Sequence, residues 1–588
     1  MSLDELSLIK EEASNFLLKN KRKYHIYKLT HQRMKDLTKE TYQDTLKFVN
    51  DNLDIFLADH SSAINFFGFI KNSISSNIRH LELIFDIVIH FIDEFKRLNV
   101  TENEMFSICI QYINYINYLF QKKIISISTI IEQSYQYPVL FINFLPEIRE
   151  YDSEYAQLRE KTFFQSIFGP LRESLTELLK SVNKDPQQHI KNREINYHPS
   201  TLHKSIREDD IDTFQSLLSK NSIDINHRIE YSFYERTQPH ETSTSLIQTA
   251  TIYGAQKIIK FLLLQPNLIL DDNLVSYAYF SYDLNLIHYY EQKGCSLDNI
   301  TYMPIYMHQK DILNYYIENF SDHISESNHE VKNAVQNLFD DDNSYNLLSY
   351  QDLQYPLLAY NYSIIKKVLP KIAFIVKKVE LNHSKLCNIF SKYSNFLLIS
   401  AGYQFDIFRF LCSQDEQSLD CYYFTAVECL RRNMNDAFKF LFSKISDNEY
   451  YLHLLLETSI VSNHDMANYL LDLQIKEMDE NVHKNENSLY SKFSNIITFP
   501  IFILAIKNYN EDIIVKMFKL YHSIIENQNL LSLVSGMTKF LSNRMIFNLF
   551  DKIPFLYNND DLLLLLESIK LYELAKFVKE RREKEPNK

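Results

Sequence analysis

The chain has 588 residues, of which 45% are hydrophobic and 23% charged, and a net charge of −13. That length is too great for one compact core and fits several domains or an extended repeat array, while the apolar share excludes disorder by composition. Six glycines are too few for the turns of sandwiches and barrels or for phosphate-cradling loops, and the negative charge disfavours nucleic acid as a partner.

Residues 1–190 are helical in pattern. The first twelve are acidic and contain no apolar core of a signal peptide. The densest basic run, Lys19-Asn-Lys-Arg-Lys-Tyr-His25, reads as the solvated face of a helix. The apolar stretch 81–95 is interrupted by Glu82, Asp86, His90, Asp93 and Glu94, and the stretch 496–506 is short; a spanning helix needs roughly 20 apolar residues. No membrane span is expected. His80-Leu81-Glu82 resembles half of a zinc-deaminase signature, but the P-C-x-x-C half is missing.

Beyond the link 191–199 one short pattern recurs: a polar residue, two apolar residues, a residue that is usually polar, then an aromatic or apolar pair. Its copies are Asp212-Thr-Phe-Gln-Ser-Leu, Lys257-Ile-Ile-Lys-Phe-Leu, Asn285-Leu-Ile-His-Tyr-Tyr, Asp311-Ile-Leu-Asn-Tyr-Tyr, Ser363-Ile-Ile-Lys-Lys-Val, Asp406-Ile-Phe-Arg-Phe-Leu, Asp436-Ala-Phe-Lys-Phe-Leu, Asp465-Met-Ala-Asn-Tyr-Leu, Asp512-Ile-Ile-Val-Lys-Met, Arg544-Met-Ile-Phe-Asn-Leu and Glu573-Leu-Ala-Lys-Phe-Val. Six of the ten intervals between starts lie between 26 and 32 residues. Apolar residues at this spacing line one face of a helix, and a period near 30 leaves room for two short helices and a turn. Such a hairpin cannot bury its apolar face alone, whereas stacked hairpins can. The Tyr and Phe residues fall at core positions of these copies and are assigned to packing.

Two units carry a family likeness. Ser200-Thr201-Leu202-His203-Lys204-Ser205 fills the slots of the ankyrin opening T-P-L-H-x-A, and the same unit closes with Leu217-Leu218 and Asp224-Ile225-Asn226. The next unit, Ser245-Leu-Ile-Gln-Thr-Ala250-Thr-Ile-Tyr-Gly254 followed by Ile258-Ile259 and Leu262-Leu263, resembles the family in the same register. The Thr-Pro pair is absent, and Asp209 and Asn433 hold the slot of the Gly after the first helix. Such units need not keep the β-hairpin finger between repeats. As a whole the chain resembles the ankyrin-repeat proteins expanded in trichomonad-type protists, in which a helical N-terminal region precedes degenerate Tyr- and Phe-rich repeats. The resemblance implies a protein-interaction scaffold and no chemistry.

The expected fold is therefore all-α, a helical solenoid of divergent ankyrin-type helix-turn-helix repeats with an N-terminal helical domain. The expected organisation is an N-terminal helical domain over 1–190, ankyrin-type repeats over 196–320, degenerate repeats or a break in the array over 321–395, and divergent repeats over 396–580. The aromatic, polar insertion at 231–243 reads as a loop, and its Tyr231, Phe233, Tyr234, Glu235 and Arg236 are the candidate protein-binding residues. The competing reading of that loop is a tolerated insertion whose aromatics pack back on the helices.

No catalytic, cofactor-binding or metal residue is expected. Nucleotide-loop, nucleophile-elbow and H-E-x-x-H motifs do not occur. The polar cluster Asp322, His323, Glu326 and His329 lacks further ligands, and Asp340-Asp341-Asp342 reads as a loop. Cys109, Cys295, Cys387, Cys412, Cys421 and Cys429 form no C-x-x-C pair and suit a reducing compartment. The expected partners are proteins, in the cytoplasm or else the nucleus. The alternative is an enzyme or regulatory activity in the N-terminal region, with the repeats recruiting substrate.

Overall fold

A computed structural model describes residues 3–295 and 405–584 together with Leu369, apart from 75–76, 78–79, 111, 135–136, 164–169, 196, 231, 233, 235–242, 272–273, 282, 414–418, 447–448, 480–498, 509, 522–526, 554–559 and 569–571. The motif copies at Asp311 and Ser363, the His323–His329 cluster, the Asp340 acidic run, Cys387 and nearly all of the expected segment 321–395 lie outside the described residues. The chain is all-α, and among the described residues the two short strands Arg228–Glu230 (β1) and Ser243–Ser245 (β2) form a single antiparallel pair. Among the described residues no helix is long and apolar enough to cross a membrane. The chain folds into two compact units, Met1–Lys122 with Asn192–Cys421 and Lys123–Lys191 with Tyr422–Lys588.

In the first unit the N-terminal helices pack through rings. Tyr27 meets Phe56 and Phe69 edge-on at 5.1 and 5.0 Å, Phe56 stacks on Phe66 at 4.4 Å, and Phe85 stacks on Tyr115 at 4.2 Å. All are buried. Large aromatic surfaces supply much of the core here. The basic run 19–25 spans the end of one helix and the start of Lys21–Lys35, with its charges outward. There Arg22 pairs with Asp54 and Lys23 with Asp406.

The recurring pattern maps onto helices in one register. Every copy on described residues starts at the second residue of a helix: Asp212 in Ile211–Lys220, Lys257 in Gln256–Leu263, Asn285 in Leu284–Gln292, Asp406 in Phe405–Ser413, Asp436 in Asn435–Ile445, Asp465 in His464–Asp479, Asp512 in Glu511–Tyr521, Arg544 in Asn543–Lys552 and Glu573 in Tyr572–Lys584. Counted from that residue, positions +1, +2, +5 and +6 face inward in most copies, while Lys579 at +6 of the last is exposed. Ile407, Phe408, Leu411 and Cys412 are buried, as are Ala437, Phe438, Leu441 and Phe442, and so are Ile513, Ile514, Met517 and Phe518. This is the stripe that a 3.6-residue period places on one face.

All of these helices except Phe405–Ser413 follow directly on a described partner helix: Thr201–Arg207, Leu246–Ile252, Leu274–Ser281, Leu419–Arg431, Glu449–Ser462, Phe499–Lys507, Asn527–Phe540 and Asp560–Ser568. Within each unit, neighbouring pairs pack like on like. Leu246–Ile252 lies against Leu274–Ser281, and Phe499–Lys507 against Asn527–Phe540. Among the second helices, His464–Asp479 lies against Glu511–Tyr521, and Glu511–Tyr521 against Asn543–Lys552.

The turn inside three pairs has one geometry. Asp209, Gly254 and Asn433 each stand three residues before the pattern starts and adopt φ of 53°, 56° and 51°. Each is followed by a residue whose amide donates back to the fifth residue before it: Asp210 to Ser205, Ala255 to Ala250 and Met434 to Cys429, at 2.8–2.9 Å. This left-handed closure of a helix suits Gly, and Asp and Asn tolerate it best among the other residues. Asn433→Gly is therefore expected to leave stability within a few tenths of a kcal/mol, and Asn433→Ala to lower it by about 1 kcal/mol. Hydrogen exchange of amides 429–438 would show the difference, and equal protection in both variants would refute it.

Candidate interaction surface

The segment 192–295 in the first unit carries the geometry around the expected binding loop. The strands pair with Arg228 opposite Ser245, Ile229 opposite Thr244 and Glu230 opposite Ser243. Alternation buries Ile229 and Thr244 and leaves Arg228 and Glu230 outside. Ser245, the last residue of β2, is also the N-cap of Leu246–Ile252. Its hydroxyl accepts from the Gln248 amide, while the Gln248 side chain accepts from the Ser245 amide. A capping box thus joins the hairpin rigidly to the helix behind it.

Four side chains, Arg228, Ser245, Asp271 and Asn226, fix the hairpin base. The Arg228 guanidinium donates to the Ser243 hydroxyl at 2.9 Å and to its carbonyl at 2.7 Å, and lies 3.9 Å from Asp271. The Ser245 hydroxyl donates to Asp271 at 3.2 Å. Asn226 reaches the loop that follows the next pair: its amide nitrogen donates to the Asn267 carbonyl at 2.9 Å, and its oxygen accepts from the Ile269 amide at 2.8 Å. At the turn end of the same junction the Asp209 carboxylate accepts from the Lys257 and Ile258 amides, at the start of the next second helix. Backbone donors that a helix start leaves open are met there by the neighbouring pair.

A histidine pair lies under the hairpin. His198 and His203 stack with centroids 4.9 Å apart, and His203 meets Tyr253 edge-on at 5.3 Å. The Ser200 amide donates to His198 Nδ1 at 3.1 Å, so that nitrogen carries the lone pair. The proton is then on Nε2, which donates to the Glu230 carbonyl in β1 at 3.2 Å. Burial lowers the His198 pKa, partly offset by that bond. His203 is pushed down to about 3, by burial first and then by His198 and Arg207. Both imidazoles are thus held neutral near pH 7. The Arg207 guanidinium lies 3.7 Å over the Tyr197 ring.

Of the expected binding residues, Tyr231, Phe233, Glu235 and Arg236 lie outside the described residues. Tyr234 is half-buried, and its amide donates to the Ser232 hydroxyl. Burial raises its hydroxyl pKa, while a hydrogen bond with Asn192 and the charge of Arg193 pull the other way. Its side chain is therefore turned toward the link that leads into the first helix pair. Exposed apolar surface sits on the loop that Asn226 holds: Leu264 is 81% and Ile269 65% exposed. Sequence reasoning missed Asn226, Arg228 and Asp271 as a group. Only Asn226 carried a signal, in the closing Asp224-Ile225-Asn226, and that signal pointed to the fold.

Among the described residues no group of three His, Cys, Asp or Glu is placed to hold a metal ion. Cys109, Cys295, Cys412 and Cys429 are buried, and burial pushes the Cys109 thiol up. Comparison with protein-family models, with curated proteins and with solved structures finds no match to this chain.

Proposed function

We propose that this chain is a non-catalytic scaffold of the cytoplasm that binds partner proteins through a solenoid of divergent ankyrin-type repeats. The observation that carries the reading is the shared register. Pattern copies begin at the second residue of successive second helices, and like helices of neighbouring pairs pack on each other. Three turns close with a left-handed residue at the same position, and an antiparallel strand pair stands between the first two helix pairs. Such an array presents a rigid surface on which loops and hairpin tips supply specificity. The hairpin base at Arg228, Asn226 and Asp271, beside exposed Leu264 and Ile269, is the region proposed to receive the partner, with the tip 231–242 contributing. A fixed backbone lowers the entropy cost of such an interface.

The test compares the full chain with a variant in which 231–242 is replaced by Asn-Gly, a turn that closes the same strands. Each is used to capture partners from a lysate of its own cells at rising bait concentration. The full chain is expected to retain a saturable partner and the shortened variant to need at least about tenfold more bait for half-saturation, the weakening that about 1.4 kcal/mol of lost contacts produces. Absence of any saturable partner would sink the scaffold reading. Equal retention would move the binding region away from the hairpin.

A further inference from the structure

Residues 19–35 hold seven lysines and arginines and no aspartate or glutamate, within a chain whose net charge is −13. Their helix, Lys21–Lys35, buries Tyr24, Tyr27, Thr30, His31 and Met34 on one side. The opposite side, at Lys21, His25, Lys28, Leu29 and Gln32, is exposed. Lys21, His25 and Lys28 stand at i, i+4 and i+7 and so line one stripe, with the two lysines about 10 Å apart along the axis. Lys19, at the end of the preceding helix Leu3–Lys19, is exposed as well. Carboxylates of the same unit answer two other cations of this segment: Asp54 meets Arg22, and Asp406 meets Lys23. Among the described residues no carboxylate pairs with Lys19, Lys21 or Lys28.

Stability of the fold gives no reason for this stripe. Lysines gathered along one side of a helix repel each other. Cations in the first turn of a helix also oppose its dipole, and Lys21, Arg22 and Lys23 fill that turn with no acidic residue among them. A ligand that brings negative charge removes both costs. Exposed Leu18 (69%) and Leu29 (38%) stand next in sequence to Lys19 and Lys28, so the surface offers apolar contact beside its charge. A net charge of −13 repels an extended polyanion such as nucleic acid. Two leucines are too little apolar surface to seat a helix in a bilayer interface. A stripe one helix wide matches another helix, whose carboxylates at i, i+4 and i+7 form a complementary stripe. We propose that the exposed face of Lys21–Lys35, with Lys19, docks an acidic amphipathic helix of a partner protein, whose carboxylates meet Lys21 and Lys28 and whose apolar residues cover Leu29. This face shares no residue with the hairpin base, and the proposal does not rest on the scaffold reading.

The test uses the full chain and a labelled helical peptide with glutamates at i, i+4 and i+7 and leucines between them, titrated by anisotropy at about 50 mM and about 300 mM salt. A peptide of the same composition, with its glutamates spread around the helix, controls for charge alone. The matched peptide is expected to bind saturably and to weaken with salt, because screened charge carries the contact. It is expected to lose at least about tenfold in affinity in the triple variant Lys19→Glu, Lys21→Glu, Lys28→Glu, and the control peptide to bind wild type at least about threefold more weakly. No saturable binding, equal binding to the triple variant, or equal binding of the two peptides overturns the proposal. A phosphatidylserine vesicle or a single-stranded oligonucleotide that binds more tightly than the matched peptide, and loses that binding in the triple variant, overturns it in favour of a membrane or a nucleic acid. Should the triple variant fail to fold by circular dichroism, Lys21→Gln with Lys28→Gln is titrated in its place. A loss of at least about threefold is then expected, and unchanged affinity overturns the proposal.

Discussion

Phe438→Ala is expected to destabilise the second unit by about 3–5 kcal/mol. Phe438 is fully buried at the +2 position of Asn435–Ile445, beside Ala437 and Leu441. Its ring lies 5.8 Å from that of Phe442. Removing a fully buried ring costs the lost transfer and, in addition, the cavity left behind. Phe440, two residues on, is half-buried, with Lys444 over its ring. Phe440→Ala is expected to cost about 1–2 kcal/mol, since only part of its area leaves water. Hydrogen exchange across 435–462 would measure both, because local opening of the pair reports the lost packing directly. Equal costs for the two variants would mean that the inward stripe is not at +1, +2, +5 and +6.

That contrast also shows what could be read before the structure. The spacing of Asp406, Asp436 and Asp465 marks a repeated helix because apolar side chains must recur on one face to be buried, and burial leaves a periodic trace. Some helix starts are legible from polar caps, as at Asp210, Asp283 and Ser542, whereas Ala255 and Met434 precede theirs without a side-chain cap. Asp209 and Asn433 look like departures when identity alone is compared. In conformation they match Gly254, since the turn requires a positive φ and Asp and Asn tolerate it.

Other features leave no periodic trace. Ser542 meeting Asp152 depends on one hydroxyl and one carboxylate separated by 390 positions, and no local pattern encodes that meeting. The same holds for His464 with Glu132, and for the assembly of each compact unit from two stretches of chain. At the expected site, most of the segment 231–243 lies outside the described residues, and its last residue, Ser243, belongs to β2. The orientation of Tyr234 toward Asn192 was not legible, because an aromatic in a loop can serve a partner or its own scaffold equally well.

Acid is expected to loosen the hairpin region through His203, and the sign follows from its burial. Its folded pKa is about 3, against about 6.5 in an unfolded chain. Above pH 6.5 both states are neutral and this histidine adds no pH dependence. Below it the unfolded chain binds a proton that the folded chain refuses, so stability falls by about 1.4 kcal/mol per pH unit until the folded pKa is reached. Between pH 7.5 and 5 the loss from His203 is therefore on the order of 2 kcal/mol. His198 shifts in the same direction and adds to it. Protonating His198 would also remove the acceptor of the Ser200 amide and place a cation against His203. The check is hydrogen exchange of amides 202–206, corrected for the intrinsic effect of pH, in wild type and His203→Gln. The advantage of wild type over the variant should shrink by on the order of 2 kcal/mol from pH 7.5 to 5. An advantage that stays constant over that range would mean that His203 titrates alike in both states, and that the stacked pair is wet rather than buried.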